Sequence, residues 1–281
     1  MKKNDLRSRM IREMELRNYS QRTIDNYLHA LTKLAKFYRL SPDKITSEQV
    51  KAYLHHRLIY EGISPSSINQ IISGYKIIQQ DVLKRDWQHI KIKRPRRKKA
   101  LPVVLTSDEI ASMITHTRNL KHKAIISLAY SSGLRKGEVQ MLKPGDIDSG
   151  RQQICVRNGK GQKDRYTLLS LKMLEMLRAY YKTHRPKEYL FESSYKPGTP
   201  LALTTLHRIV KLAAERAEIK KCVSFHTLRH CFATHMLEDG VNLRIIQQLM
   251  GHTSLKTTAV YLHVANIDPH KVASPFDDLN L

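Results

Sequence analysis

The sequence holds no apolar run near the roughly 20 residues that a membrane-crossing helix needs, and its basic start, MKKNDLRSRM, leads into no apolar signal core. Acidic side chains are scarce beside basic ones: 25 Asp and Glu stand against 49 Lys and Arg, a formal charge of +24. The three cysteines, Cys155, Cys222 and Cys231, are odd in number and lack CxxC spacing, so they give no disulfide framework and suit a reducing interior. Internal repeats and low-complexity tracts are absent too, which removes solenoids and fibrous arrays. What is present is a globular composition, 41% hydrophobic, in a chain of 281 residues that can form one large domain or two modest ones. So large an excess of positive charge points to a polyanionic partner, because each cation set against a phosphate releases condensed counterions. The expected address is the cytoplasm or nucleoid, with no membrane partner.

The basic excess is uneven. Residues 1–103 carry 23 basic and 9 acidic side chains, a little more than a third of the chain holding well over half of the net charge. From Lys91 to Lys99 seven of nine residues are basic, and Pro95 and Pro102 discourage helix at either end. That stretch, 91–103, reads as a solvated linker able to lie along a phosphate backbone. Residues 1–90 before it read as a bundle of about four helices. One helix starts at a Ser20 cap and repeats Ile24, Tyr27, Leu28, Leu31, Leu34 and Tyr38 near helical spacing; another is capped by Thr46, and a third follows a proline turn at Pro65. Beyond the linker, Thr106 and Glu109 form a T-x-x-E capping box. HKAIISLAYSSGLRKGEVQML reads as a buried helix, a glycine break and a second helix, and QQICVRNGKGQKDRYTLLS reads as a strand, a turn at Gly159 and Gly161, and a strand. Helices resume after Leu171, with Gly240 and Gly251 placed as C-caps. The fold class expected is mainly α with a small β-sheet or hairpin, the second domain spanning 104–263 and a tail 264–281.

The stretch FHTLRHCFATHM sets three histidines and an arginine within ten residues. His226 and Arg229 share a helix face, as do His226 and His230. The i, i+4 histidines match a zincin helix, but Thr227 stands where that motif needs glutamate, and no Cys/His spacing elsewhere fits zinc. An arginine between the two would repel a divalent cation, so no metal is expected. Arginine and histidine on one face suit an anion with several oxygens instead. Other residues extend that reading. Arg135 follows the Gly133 break, with Glu138 one turn on to orient it; Lys160 sits at the hairpin tip between glycines; His252 follows a helix end, and Tyr261 comes nine residues later. The hairpin tip is no P-loop, since its spacing and its flanking strands are wrong for one.

In this order, GLRKGE with Arg135, GKGQKDR with Lys160, HTLRH at 226–230, GH at 251–252 and Tyr261 resemble the tyrosine recombinase (phage integrase) family, in particular its compact Xer-like members. The likeness covers Thr106 to His263 without a break, and the helical part before the linker is similar to the family's SAM-like core-binding domain. The resemblance implies an α+β catalytic domain that breaks and rejoins DNA strands through a covalent 3′-phosphotyrosine and a Holliday junction, with no metal, ATP or other cofactor. Its site would be Arg135, Lys160, His226, Arg229, His252 and the nucleophile Tyr261, with Glu138 in support and Lys163 as second choice for the lysine. In that chemistry His226 takes the phenol proton or bonds the phosphate, and His230 and His235 are packing or DNA-facing residues. Arg22, Lys93, Arg94, Arg96 and Arg97 are the candidate DNA contacts. The partner implied is double-stranded DNA with inverted-repeat half-sites, bound by a homotetramer on two sites and by a chain that is monomeric when free. In the tail, Val264, Val272, Phe276 and Leu279 supply apolar anchors, Phe276 and Leu279 being candidates to dock in a neighbouring protomer. A type IB topoisomerase, a DNA-binding regulator without catalysis and a metallonuclease are the alternatives to be separated.

Overall fold

A computed structural model describes residues 6–87, 92–95, 101–157 and 164–266. Arg96, Arg97, Lys160, Lys163 and the tail anchors Val272, Phe276 and Leu279 lie outside the described residues. The chain divides into two compact units, 1–99 and 100–281.

In the first unit, helix α1 (Leu6–Leu16) turns Met10 and Met14 into the core. Helix α2 (Gln21–Tyr38) starts where the Ser20 hydroxyl accepts from the Thr23 amide, and it buries Ile24, Leu31 and Leu34 along one stripe. Helix α3 (Ser47–Glu61) opens on a capping box between Thr46 and Gln49. Helix α4 (Pro65–Lys76) corrects the expected order of turn and helix, because Pro65 is its first residue and Ser64 its cap. Proline fits there since its missing N–H would find no partner inside the helix. α4 continues into a π-helical turn, Ile77–Val82, which encloses Gln79 and aims Asp81 at Arg17, 2.7 Å away. Ile92 completes this core, so the first part of the basic stretch is anchored rather than free. Arg94 is tied back to α4 through Asn69 and Ser73, while Lys93 and Arg22 stand exposed.

The second unit is built around α6 (Leu120–Ser131), preceded by α5 (Ser107–Thr115) with its Thr106–Glu109 capping box. α6 is enclosed from Ala124 to Ala129, a run that is apolar except for Ser127. The chain breaks at Gly133 and resumes as α7 (Lys136–Met141). Strands β1 (Ile147–Asp148), β2 (Gln153–Val156) and β3 (Arg165–Leu168) make an antiparallel sheet in that order, with Ile154 opposite both Ile147 and Thr167. β1 is an addition to the expected hairpin; two residues are too short to show alternation in sequence. Two hydrogen bonds join the α6–α7 break to β3: Ser132 Oγ donates to Leu168 O at 2.7 Å and Thr167 Oγ1 donates to Ser132 O at 2.8 Å. They pin the sheet to the break. Helices α8 (Leu171–His184), α9 (Leu203–Arg216), α10 (Phe225–Glu238), α11 (Leu243–Met250) and α12 (Leu255–Thr258) follow, and a 3₁₀ turn, Ala259–His263, carries Tyr261. Gly251 caps α11 in the left-handed region as expected, but α10 is capped by Asp239, with Gly240 one residue later. The mainly α architecture with a small sheet is the one expected. Among the described residues no helix is long and apolar enough to cross a membrane.

Candidate active site

A helix ends with its last carbonyls unpaired and the negative end of its dipole exposed. At the end of α11 three successive carbonyls each hold a different arginine. Leu249 O accepts from Arg165 Nε at 2.9 Å, Met250 O from Arg229 Nη2 at 2.5 Å, and Gly251 O from Arg135 Nη2 at 3.0 Å. Two left-handed glycines make the approach feasible. At Gly251, φ is +63° and a Cβ would stand 2.7 Å from Arg165 Cδ. At Gly133, φ is +60° and a Cβ would stand 2.4 Å from the Phe232 ring, while the glycine carbonyl accepts from Arg229 Nη1 at 2.5 Å. Arg229 is only 1% exposed. Burial, and then the charge of Arg135, pushes its guanidinium down to about 9, which leaves it a cation at neutral pH.

One carboxylate balances this cluster. Glu138 accepts from the Arg135 amide at 2.7 Å and from Arg135 Nη1 at 2.8 Å, and Arg165 grips both its oxygens at 2.8 Å. Arg229 Nη1 stands 4.0 Å from it. Burial alone would raise the Glu138 carboxyl, but the paired bonds and charge of Arg165, with those of Arg135, overcome burial and hold it at about 2. Arg165 was not singled out in the sequence, although GKGQKDR ends on it. Its signal was the strand after the hairpin tip, where an inward residue at that register meets the α6–α7 break.

The other side of the site is neutral. His226, Arg229 and His230 lie on one face of α10, which Ser224 caps through the Thr227 amide. The rings of His226 and His230 meet edge to face, 4.5 Å apart. Burial lowers His226, with help from Arg229 and Arg135. Burial, followed by His226 and Arg229, takes His230 down to about 4. His252 is held by bonds between its backbone and Gln247 and by Nδ1 contact with Thr258 Oγ1 at 2.9 Å; burial and then Arg229 and Arg135 take it to about 3. Tyr261 is 3% exposed, and burial pushes its phenol up to about 12 against the pull of Arg229 and Arg135. Its hydroxyl lies 3.0 Å from His230 Nδ1. Expected as a packing or DNA-facing residue, His230 is also set against Tyr261, with ring centroids 5.7 Å apart. His235 does pack: its Nε2 donates to Leu105 O and its Nδ1 accepts from Tyr130 Oη, both at 2.9 Å. Arg135, Glu138, His226, Arg229, His252 and Tyr261 thus gather in one place, and the described residues stop short of Lys160 on the hairpin. Among the described residues no group of three or more His, Cys, Asp and Glu side chains is arranged for a metal ion.

Comparison with known proteins gives the family. Residues 103–267 match the phage integrase family, and residues 6–89 match the phage integrase N-terminal SAM-like domain. A putative integrase/recombinase, y4qK, of Sinorhizobium fredii is 38% identical over 97% of this chain and 88% of its own length. The tyrosine recombinase XerA of Pyrococcus horikoshii is 35% identical over 89% of this chain and 86% of its own. Among solved structures, the XerH site-specific recombinase bound to palindromic difH substrate, in a post-cleavage complex, superposes with a TM-score of 0.70 at 20% identity, covering 93% of this chain and 82% of that one. The chain belongs to the phage integrase family and is a tyrosine recombinase of Xer-like type, an enzyme that cuts and rejoins DNA strands in site-specific recombination.

Proposed function

We propose that Tyr261 is the nucleophile and that Arg135, Lys160, His226, Arg229 and His252 serve the scissile phosphate of double-stranded DNA. The observation that carries this reading is the seating of Arg135 and Arg229 on adjacent carbonyls, Met250 and Gly251, directly before His252 and within electrostatic reach of Tyr261. Guanidinium groups fixed in this way meet a pentavalent phosphorane already oriented, with no reorganisation at the moment of reaction. His226 and His252 donate to the non-bridging oxygens. Lys160, outside the described residues, is assigned by its motif to protonate the departing 5′-hydroxyl. Glu138, fixed from the other side by Arg165, supports Arg135. The 3′-phosphotyrosine keeps the energy of the broken bond, so strand exchange through a Holliday junction needs no metal and no ATP.

The partner is duplex DNA with inverted-repeat half-sites, bound through Arg22, Lys93, Arg94, Arg96 and Arg97 among other cations. The palindromic substrate of the structural relative supports the inverted repeat. The free chain is a monomer, four copies assemble on two sites, and the work is done in the cytoplasm at the nucleoid. Residues 1–90 form the core-binding domain, 91–103 the linker, 104–263 the catalytic domain and 264–281 the tail. If about 10 phosphates are neutralised, log K falls with a slope near −9 against log salt.

The test starts by selecting bound duplexes from a random-sequence pool. A nicked suicide duplex built from the selected half-site should then trap a covalent adduct on a denaturing gel. The adduct should survive excess EDTA and disappear in Tyr261→Phe, with DNA binding intact. An adduct formed by the phenylalanine variant, or activity that EDTA removes and zinc restores, would refute the reading. Supercoil relaxation without strand exchange would favour a topoisomerase.

A further inference from the structure

The tyrosine hydroxyl that must lose a proton to become a nucleophile already has an imidazole beside it: Tyr261 Oη lies 3.0 Å from His230 Nδ1, inside the reach required of a general base. We propose that His230 is a catalytic residue of this recombinase, the base that receives the phenolic proton of Tyr261 as the oxygen attacks phosphorus. The proposal rests on the assignment of Tyr261 as nucleophile.

Three observations support it. First, in the tautomer of neutral His230 with its proton on Nε2, Nδ1 is the acceptor that faces the phenol. Burial and the neighbouring His226 and Arg229 keep the ring neutral, so the accepting lone pair is present at ordinary pH. Second, Tyr261 does not ionise by itself. With burial holding the phenol near 12, only roughly 1 molecule in 10⁵ would carry a phenolate at pH 7. Proton removal therefore accompanies O–P bond formation, when the phenolic oxygen becomes far more acidic, and a base in contact with that oxygen is needed at that instant. Third, both partners are held in place. α10 cannot roll, because Arg229 is fastened to Gly133 O and Met250 O and Cys231 Sγ accepts from the Leu105 amide at 3.2 Å. Tyr261 is held in its 3₁₀ turn, where its carbonyl accepts from the Val264 and Ala265 amides. His226 lies one turn earlier, edge to face with the His230 ring, and among the described residues it is His230 that is in hydrogen-bond contact with the Tyr261 hydroxyl.

The step balances within the site. The Tyr261 O–H bond breaks and its proton goes to His230 Nδ1, while the O–P bond forms and the P–O5′ bond breaks. The departing 5′-oxygen takes a separate proton from the general acid. On religation the imidazolium of His230 returns its proton to the leaving phenolate.

The test uses the full-length protein and the nicked suicide duplex of the preceding section. His230→Asn keeps an acceptor oxygen near the place of Nδ1 but cannot take a proton, and His230→Gln is read in the same way should the asparagine variant lose DNA binding. Single-turnover adduct formation should fall by roughly 10²–10⁴-fold, with DNA binding unchanged. A ring-fluorinated tyrosine at position 261, whose phenol is more acidic, should recover at least roughly tenfold of that loss in the variant and give little gain with His230 present. A merely structural histidine would not produce that pattern. Adduct formation at the unsubstituted rate in His230→Asn, or a loss that the fluorinated tyrosine leaves unchanged, would overturn the assignment. Absence of any adduct with the unsubstituted protein would strike at the recombinase reading and not at His230 alone.

Discussion

The two halves of the site respond to burial in opposite ways. On one side Arg135, Arg165 and Arg229 keep their charges, because each has a carbonyl at the end of α11 and they share one carboxylate. On the other side His226, His230, His252 and Tyr261 stay neutral, because burial beside guanidinium groups disfavours imidazolium and an enclosed phenol holds its proton. Low dielectric alone does not decide protonation; the partners do. Fixed cations suit a phosphate that arrives with its charge, and neutral groups with a shared proton suit a nucleophile that must be activated on demand.

The comparison breaks most sharply at Arg229. Arg229→Lys retains a positive charge, but a compact ammonium cannot span Gly133 O and Met250 O together. Cleavage should fall by roughly 10²–10³-fold in a single-turnover assay, with DNA binding far less affected. An unchanged rate would mean that the charge matters and its seating does not.

Glu138→Gln tests whether one carboxylate holds the charged half together. The folded protein keeps this carboxyl at about 2, below the 4.5 of a free glutamate, so its charge stabilises the fold above pH 4.5. The contribution is about 3 kcal/mol, lost as pH falls from 4.5 toward 2. Urea titrations should show the glutamine variant less stable by about that amount at pH 7, the gap closing on acidification through that window.

The neutral half should respond in a different window. His252 rests at about 3 when folded and near 6.5 when unfolded, so the unfolded chain binds the extra proton between those values. Stability is fully present above pH 6.5 and declines as pH drops below it. His252→Gln should make that decline shallower by about 1.4 kcal/mol per pH unit. A slope identical to that of the unsubstituted protein would place a charged histidine in the folded site. The smallest effect is expected at Gly251, where alanine meets a left-handed backbone and the Arg165 side chain. A loss of about 1–2 kcal/mol in thermal unfolding is expected.

Much of this was legible beforehand, for identifiable reasons. Thr46, Thr106 and Ser20 announce their helices because a side-chain oxygen satisfying an orphan amide is a local event. The candidate site residues Arg135, Glu138, His226, Arg229, His252 and Tyr261, which the fold brings together, were singled out through their motifs and their order. Arg165 and His230 were not, because their importance depends on contacts across 27 and 31 residues of sequence, to Glu138 and Tyr261. The same holds for the end of α11: GH marks a helix stop, but nothing local says that three arginines from separate elements converge on it. β1 is too short to carry a pattern, and Pro65 reads equally well as a turn or a first helical residue.

The division of the site into a charged clamp and a neutral nucleophile is tested most directly by mapping the covalent bond. The adduct trapped on a nicked duplex should be digested with protease and nuclease and its nucleotide-bearing peptide identified by tandem mass spectrometry. The account predicts a single linkage, from the Tyr261 oxygen to a 3′-phosphate. A phosphate on any other side chain, or a 5′-phosphate on Tyr261, would contradict it.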